Sequence, residues 1–176
     1  MAKSEIKIEK NNVMREIKIE KVILSCGGVG DALAKSIKLL KKLSKRSPAV
    51  KMTNKRIPGF GIRPKLEVGC MVTLRGNEAL KLLERLLASE DNQLRKKQIQ
   101  ENHFSFGIKE YIEIPGEEYD REIGMSGLTV TVVFVRRGGK RVIRKKIKQG
   151  KLPKRQNVKK EEIISFMKSK FKTNFK

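Results

Sequence analysis

The sequence predicts an α+β fold in which amphipathic helices cover one face of a sheet and leave the other face available. Three observations carry that expectation. Apolar residues recur with period two within 16–26, 68–74 and 128–135, the mark of strands. The first two of these runs each lead through glycine into a helical pattern. Both helical patterns are one-sided, leucine on one stripe and charge over much of the rest, so each must bury one face against a neighbouring layer.

Composition bounds the function. The chain has 176 residues, enough for a hydrophobic core without disulfides or metals. Its 42 Lys and Arg against 19 Asp and Glu leave a formal charge of +23. Self-repulsion of that size opposes compaction, so a polyanion is the expected counter-charge, with nucleic acid ahead of an anionic membrane surface. No apolar run approaches membrane-spanning length and MAKSEIKIEK has no signal-peptide core, so no membrane partner is expected. Cys26 and Cys70 fall near or in apolar strands and read as buried, reduced thiols. Together with His103 they do not supply a zinc site, and His103 has no triad partners. No catalytic constellation is present, and neither a cofactor nor a metal is expected.

Taken in order, residues 5–10 and 16–21 both read EIKIEK. The first copy has no apolar continuation, so residues 1–11 are expected to form an extension, a tail or an edge strand, ahead of one domain spanning 12–176. The second copy opens the first core strand. Its apolar positions change parity, Ile17 and Ile19 on one face and Val22, Leu24 and Cys26 on the other, which predicts a bulge near Lys21 or partial cover on both faces. Gly27-Gly28-Val29-Gly30 then turns into a helix. A nucleotide P-loop would need Lys-Ser/Thr after the last glycine, where Asp31-Ala32 stand, and a dinucleotide fingerprint would need glycine at Leu33. The turn reads as structural, and its glycine amides remain a weaker candidate for meeting an RNA phosphate. The helix is expected over 31–46, with Leu33, Ile37, Leu40 and Leu43 inward, before a short strand at 49–53.

Residues 55–65, KRIPGFGIRPK, form a loop punctuated by Pro58, Gly59, Gly61 and Pro64 and charged by Lys55, Arg56, Arg63 and Lys65. Phe60 lies between two glycines with little neighbouring side chain to cover it. The strand that follows points Val68, Cys70, Val72 and Leu74 one way and Met71, Thr73 and Arg75 the other. Asn77 is expected to cap a second helix whose buried stripe is Leu80, Leu83, Leu86 and Leu87. Residues 91–127 read as long and irregular, and LTVTVVFV over 128–135 as the surest strand. From Arg136 to Lys160 there are thirteen basic residues and no acidic one. The run lacks apolar anchors and is expected to be a long basic loop that orders on RNA, with Arg136, Arg137, Lys140, Arg141, Arg144, Lys145, Lys148 and Lys151 as phosphate contacts. A last helix over 159–172 buries Ile163, Ile164, Phe166 and Met167.

Five stretches resemble one family: NVMREIKIEKV (12–22), KRIPGFGIRP (55–64), VTLRGNEA (72–79), FSFGIKEYIEIPGEEYDREIG (104–124) and KEEIISFMK (160–168). Together they are similar to universal large-subunit ribosomal protein five, in its archaeal and eukaryotic branch. The resemblance implies an antiparallel sheet backed by helices, and binding of 5S rRNA in the central protuberance of the large subunit. It places 5S rRNA contacts at Lys21, Ser25, Arg46 and Thr73, where the family often has Asn at the Ser25 position and Gln at the Arg46 position. Arg75, on the Thr73 side of its strand, joins them. It matches the loop that meets peptidyl-site (P-site) tRNA to 58–65, with Phe60, Ile62, Arg63 and Lys65 as contacts. It also implies large-subunit rRNA, neighbouring proteins of the central protuberance and the small-subunit head as partners. The location implied is the cytoplasmic ribosome. Lys159 stands where a capping Thr or Ser is common, so the last helix is expected to fray at its start. From the residues alone a free-standing RNA-binding regulator or chaperone stays open, as does a nucleotide-dependent RNA enzyme using 26–31.

Overall fold

A computed structural model describes residues 12–176, and the first EIKIEK copy lies outside the described residues. Strand β1, Ile17–Gly27, is the axis of the molecule. It pairs antiparallel with β3, Glu67–Leu74, on one side and with β7, Leu128–Arg136, on the other. Beyond these come β2, Ala49–Met52, next to β3, and β6, His103–Ile108, next to β7, with the two-residue β5, Ile99–Gln100, at the far edge. All pairings in this six-stranded sheet are antiparallel. A separate parallel pair joins β4, Gln93–Leu94, to β8, Asn174–Phe175.

The parity change in β1 is resolved by a bulge. Ile19 pairs with Phe134 and Lys21 with the next residue, Val133, so Glu20 is the extra residue. One added residue rotates the following side chains by half a period. Ile19, Val22, Leu24 and Cys26 therefore all bury on the same face. Cys70, Val72 and Leu74 from β3, Phe104, Phe106 and Ile108 from β6, and Val130, Val132 and Phe134 from β7 complete that face.

Helix α1, Asp31–Ser44, packs on β1 and β3 through Leu33, Leu39, Leu40 and Leu43, with Ile37 half-buried at the margin. Helix α2, Asn77–Ala88, lies beside it. Its buried stripe is Ala79, Leu82, Leu83, Leu86 and Leu87, whereas Leu80 is 37% exposed. The i, i+3, i+4 rhythm starting from Ala79 places Leu80 one step around the cylinder, which corrects the expected stripe. The expected Asn77 cap is also corrected. Gly76 is the cap at φ 74° and ψ −151°, a conformation open to glycine, and Asn77 is already helical.

Two further readings change. The stretch 91–127 is not irregular throughout, because β6 lies inside it and Phe104, Phe106 and Ile108 alternate into the core. Phe104 stacks 5.7 Å from Phe134, which meets Phe166 of the last helix edge-on at 5.7 Å. Each such pair adds about 0.5–1.5 kcal/mol beyond its burial. The remainder, 109–127, lies over the helices. Glu117 meets Arg85 at 2.9 Å, Lys38 meets Glu122 at 2.7 Å, and the buried Tyr111 hydroxyl accepts the Asp120 amide at 2.7 Å.

The last helix, α4, spans Lys160–Phe171, with Ile163 and Met167 buried and Ile164 and Phe166 half-buried. Its start is held rather than left open. Glu162 reaches back to accept the Lys159 amide at 2.9 Å, and Arg136 donates to both Glu162 oxygens at 2.9 Å. Arg136 also donates to the Arg15 and Gln156 carbonyls, so one guanidinium ties the N-terminal turn, β7 and α4 together. Burial works against the Glu162 charge, but the Lys159 amide and the Arg136 guanidinium outweigh it and hold this carboxyl below its ordinary range. A depressed carboxylate contributes stability above its unfolded pKa, about 4.3, and loses it as pH falls through the folded value. Glu162→Gln is expected to lose about 1–2 kcal/mol at neutral pH, allowing for its partial exposure. Urea melts at pH 7 and near pH 3 check this, and the gap between the two proteins should close at the lower pH.

Candidate nucleic-acid interface

Strand register builds the open face row by row. Thr73, Ile23, Thr131 and Ser105 lie side by side across β3, β1, β7 and β6. The next row is Met71, Ser25, Thr129 and Gly107. On the other flank, Lys21 pairs with Val133, which pairs with His103. None of these side chains is buried, and the helices all pack on the opposite face. The open face is therefore a shallow plate of hydroxyls, short side chains and glycine, with basic residues along one border. It brings the expected Lys21, Ser25 and Thr73 together. The register adds Ser105, Thr129 and Thr131, which sequence reasoning missed. Their signal was the polar half of the alternations in LTVTVV and HFSFGI.

Arg75 is exposed just past β3, at the Lys21 border. Arg46 follows α1 and pairs with Glu78 at 2.6 Å, which holds its guanidinium at the start of α2, a short step from Arg75. Both partners are about half exposed or more, so the pair is weak and exchangeable.

The 55–65 loop extends the β2–β3 hairpin. The Thr53 amide donates to the Leu66 carbonyl at 3.0 Å, and Ile57 and Ile62 exchange two backbone bonds of 3.0 and 3.1 Å. The tip is a single tight turn at Pro58–Phe60, closed by Gly61 in the left-handed region at φ 65°. This places Phe60 at the apex with 80% of its surface exposed, beside exposed Arg63 and Lys65, while Ile62 is half-buried at the neck.

The basic run leaves the sheet at the opposite end. β1 runs from the basic end at Ile17 to the loop end at Gly27, ten residue steps or about 33 Å at the rise of an extended strand. Arg136 and Arg137 are committed within the protein, the first to Glu162 and the second to Glu16 at 3.0 Å. Lys140 falls in a short helix, α3, Gly139–Arg144. Arg141, Arg144, Lys145, Lys148 and Lys151 are exposed. The run also has apolar anchors, contrary to expectation. Val158 is buried, and Gly139 is buried between Val135 and Leu152. Ile147, by contrast, is 80% exposed among the cations.

The glycine turn is used by the fold. The Gly28 amide donates to the Val68 carbonyl at 3.1 Å, extending the β1–β3 ladder, and Gly30 is the helix cap at φ 62°. That amide is not free to meet a phosphate. Cys26 and Cys70 are free thiols directly opposite each other on β1 and β3. Burial, with the neighbouring Cys70 second, pushes the Cys26 thiol up to about 12, and burial likewise raises Cys70. Both stay protonated at neutral pH and are poor nucleophiles. Among the described residues no cluster of His, Cys, Asp or Glu could hold a metal ion.

Comparison with known proteins agrees with this architecture. Residues 67–168 match the C-terminus of the ribosomal uL5 family. Large ribosomal subunit protein uL5 of Archaeoglobus fulgidus is 38% identical over 167 residues, covering 94% of this chain and 93% of the relative. The protein of the same name from Nanoarchaeum equitans is 42% identical over 87% of this chain and 92% of its own length. That from Methanobrevibacter smithii is 34% identical over 93% and 98%. With most of its length aligned to these relatives and its sheet and helices arranged as described, the chain belongs to the uL5 family of large ribosomal subunit proteins.

Proposed function

We propose that this chain is a non-catalytic constituent of the large ribosomal subunit that binds 5S rRNA through its open sheet face. In this reading it anchors that RNA in the central protuberance beside large-subunit rRNA, and reaches P-site tRNA through the 55–65 loop. The observation that carries the reading is the hydroxyl plate. Double-stranded RNA presents a wide, shallow minor groove lined by 2′-hydroxyls and base edges, and a flat surface of short hydrogen-bonding side chains can approach it closely. Thr73, Ser25 and Lys21 face outward on that plate, and the helices leave it uncovered. Arg46 and Arg75 border it, and Arg141, Arg144, Lys145, Lys148 and Lys151 supply phosphate contacts at one end.

Replacing Thr73 by Val keeps a β-branched strand residue and removes one hydroxyl. The fold should survive, and 5S rRNA affinity should fall by about 1 kcal/mol or somewhat more, the scale of one hydrogen bond. A filter-binding titration reads this, and equal affinity for the two proteins would place Thr73 off the contact. If the basic run neutralises phosphates, log affinity should fall linearly with log salt by roughly 0.7–0.9 per contact. Lys148→Gln with Lys151→Gln should flatten that slope, whereas an unchanged slope would mean these lysines are only solvated.

The loop is expected to serve a different partner, because it lies at the far end of the strands from the basic run. An exposed aromatic apex flanked by a guanidinium suits a tRNA elbow, which offers both a stacked base surface and a backbone. Phe60→Ala with Arg63→Ala should leave affinity for purified 5S rRNA nearly intact and weaken P-site tRNA retention on reconstituted subunits. Collapse of 5S rRNA binding in that variant would instead assign the loop to ribosomal RNA.

A further inference from the structure

At the basic end of the sheet, outside the plate and the loop, the described residues enclose a groove of about 940 Å³. Its walls come from three places distant in sequence: residues 12–17, the end of β7 with the start of α3, and 152–162 leading into α4. That volume lies within the range of ligand sites, about 300–1,000 Å³, and can hold a nucleotide with its flanking phosphates. The charges lining it are unequally used. Glu162 is occupied by Arg136, and Glu16 by Arg137. Arg15 and Arg155, both exposed, make no ion pair among the described residues, and Lys159 adds a third positive charge at the rim. The neutral lining is suited to a base. The Asn12 side-chain oxygen accepts the Met14 amide at 3.0 Å, which leaves its NH₂ to donate outward. The exposed Gln156 contributes a second amide, although its carbonyl is taken by Arg136. Met14 is 57% exposed and rests its methyl group over Gly138, where any side chain would collide with it.

We propose that this groove binds a single unstacked RNA nucleotide, its phosphates against Arg15, Arg155 and Lys159 and its base between Met14 and the Asn12 and Gln156 amides. The inference rests on the RNA-binding reading above but uses none of the plate residues. A duplex keeps its bases inside and shows phosphates on a convex surface, so a concave site carrying base-edge donors calls for a base swung out of its helix. An acidic peptide would satisfy the cations but not the amides and thioether. Arginine planes and apolar side chains are the surfaces on which single-stranded bases stack.

The test uses the full-length protein, a short oligouridylate carrying 4-thiouridine, and an abasic oligomer of equal length and charge. Photo-crosslinks should map to peptides spanning 12–17 and 152–159, and the abasic oligomer should bind more weakly. Arg15→Ala with Arg155→Ala should abolish these crosslinks and lower oligouridylate affinity about fivefold or more, consistent with two exposed charge contacts. Asn12→Ala with Gln156→Ala should weaken binding of the oligouridylate but not of the abasic oligomer. All four positions are exposed, and matching melting curves confirm that the variants fold. Affinity for 5S rRNA, measured alongside, should remain sensitive to Thr73→Val in each variant, which keeps the two proposals separable. Crosslinks confined to the sheet or the 55–65 loop would overturn the inference. So would equal affinity for the abasic oligomer, or binding that emerges only after deletion of residues 2–11.

Discussion

The bulge at Glu20 is the constraint on which the two-faced sheet depends. β1 is central, with β3 on one flank and β7 on the other, so its side-chain parity sets what both neighbours can bury. Without the extra residue, Ile19 and Val22 would point to opposite faces, and one end of the strand would expose its apolar residues. With it, the apolar positions of the strand share a core with the helices, while Lys21, Ile23 and Ser25 turn to the open side. Burying each side chain such as Val22, Leu24 or Ile19 contributes about 1.5–3 kcal/mol, so the bulge is stabilised by the residues it redirects. The same device that completes the core thus exposes the face proposed for RNA.

A second organising interaction sits at the end of β7. Arg136 joins Glu162, Gln156 and Arg15 through side-chain and carbonyl contacts. It reads as a phosphate ligand when only the surrounding run of like charge is considered. In three dimensions it is 19% exposed and matched by a carboxylate twenty-six residues later. Its neighbour Arg137 is similarly matched by Glu16. These pairs fix where the basic run departs and returns, so the exposed cations beyond them project from a defined base.

Much of the fold was legible because burial imposes periodicity. The alternation in 68–74 and 128–135, the leucine stripes and the parity change at Lys21 are local signals of a half-covered sheet. β6 escapes a sequence reading because HFSFGI is short and embedded in glycine, proline and acidic residues, although its Phe-Ser-Phe alternation follows the same rule. The stripe on α2 is ambiguous by one position because leucines over 80–87 populate either choice, and only Ala79 decides the phase. The site was less legible. Thr73 and Lys21 can be assigned to a face from alternation, but the row joining Thr73 to Thr131 and Ser105 depends on register. Register is fixed by pairings dozens of residues apart. The groove at the basic end was not legible at all, since Asn12, Arg15, Arg155 and Gln156 meet only through the tertiary fold.

The sheet ends at β2, which has β3 on one side and no described strand on the other. Its four residues are all exposed, including Val50 and Met52 at 38% and 63%. An open row of backbone donors and acceptors can template pairing with another chain. Here the edge is short and carries Lys51, and the whole molecule repels its own copies through its +23 charge. Solubility of the unassembled protein is therefore coupled to the same cations that RNA would neutralise. A fragment of RNA that cancels the charge without shielding β2 would remove the repulsion and leave the edge bare, so partial assembly is the state in which this chain is most exposed to self-association.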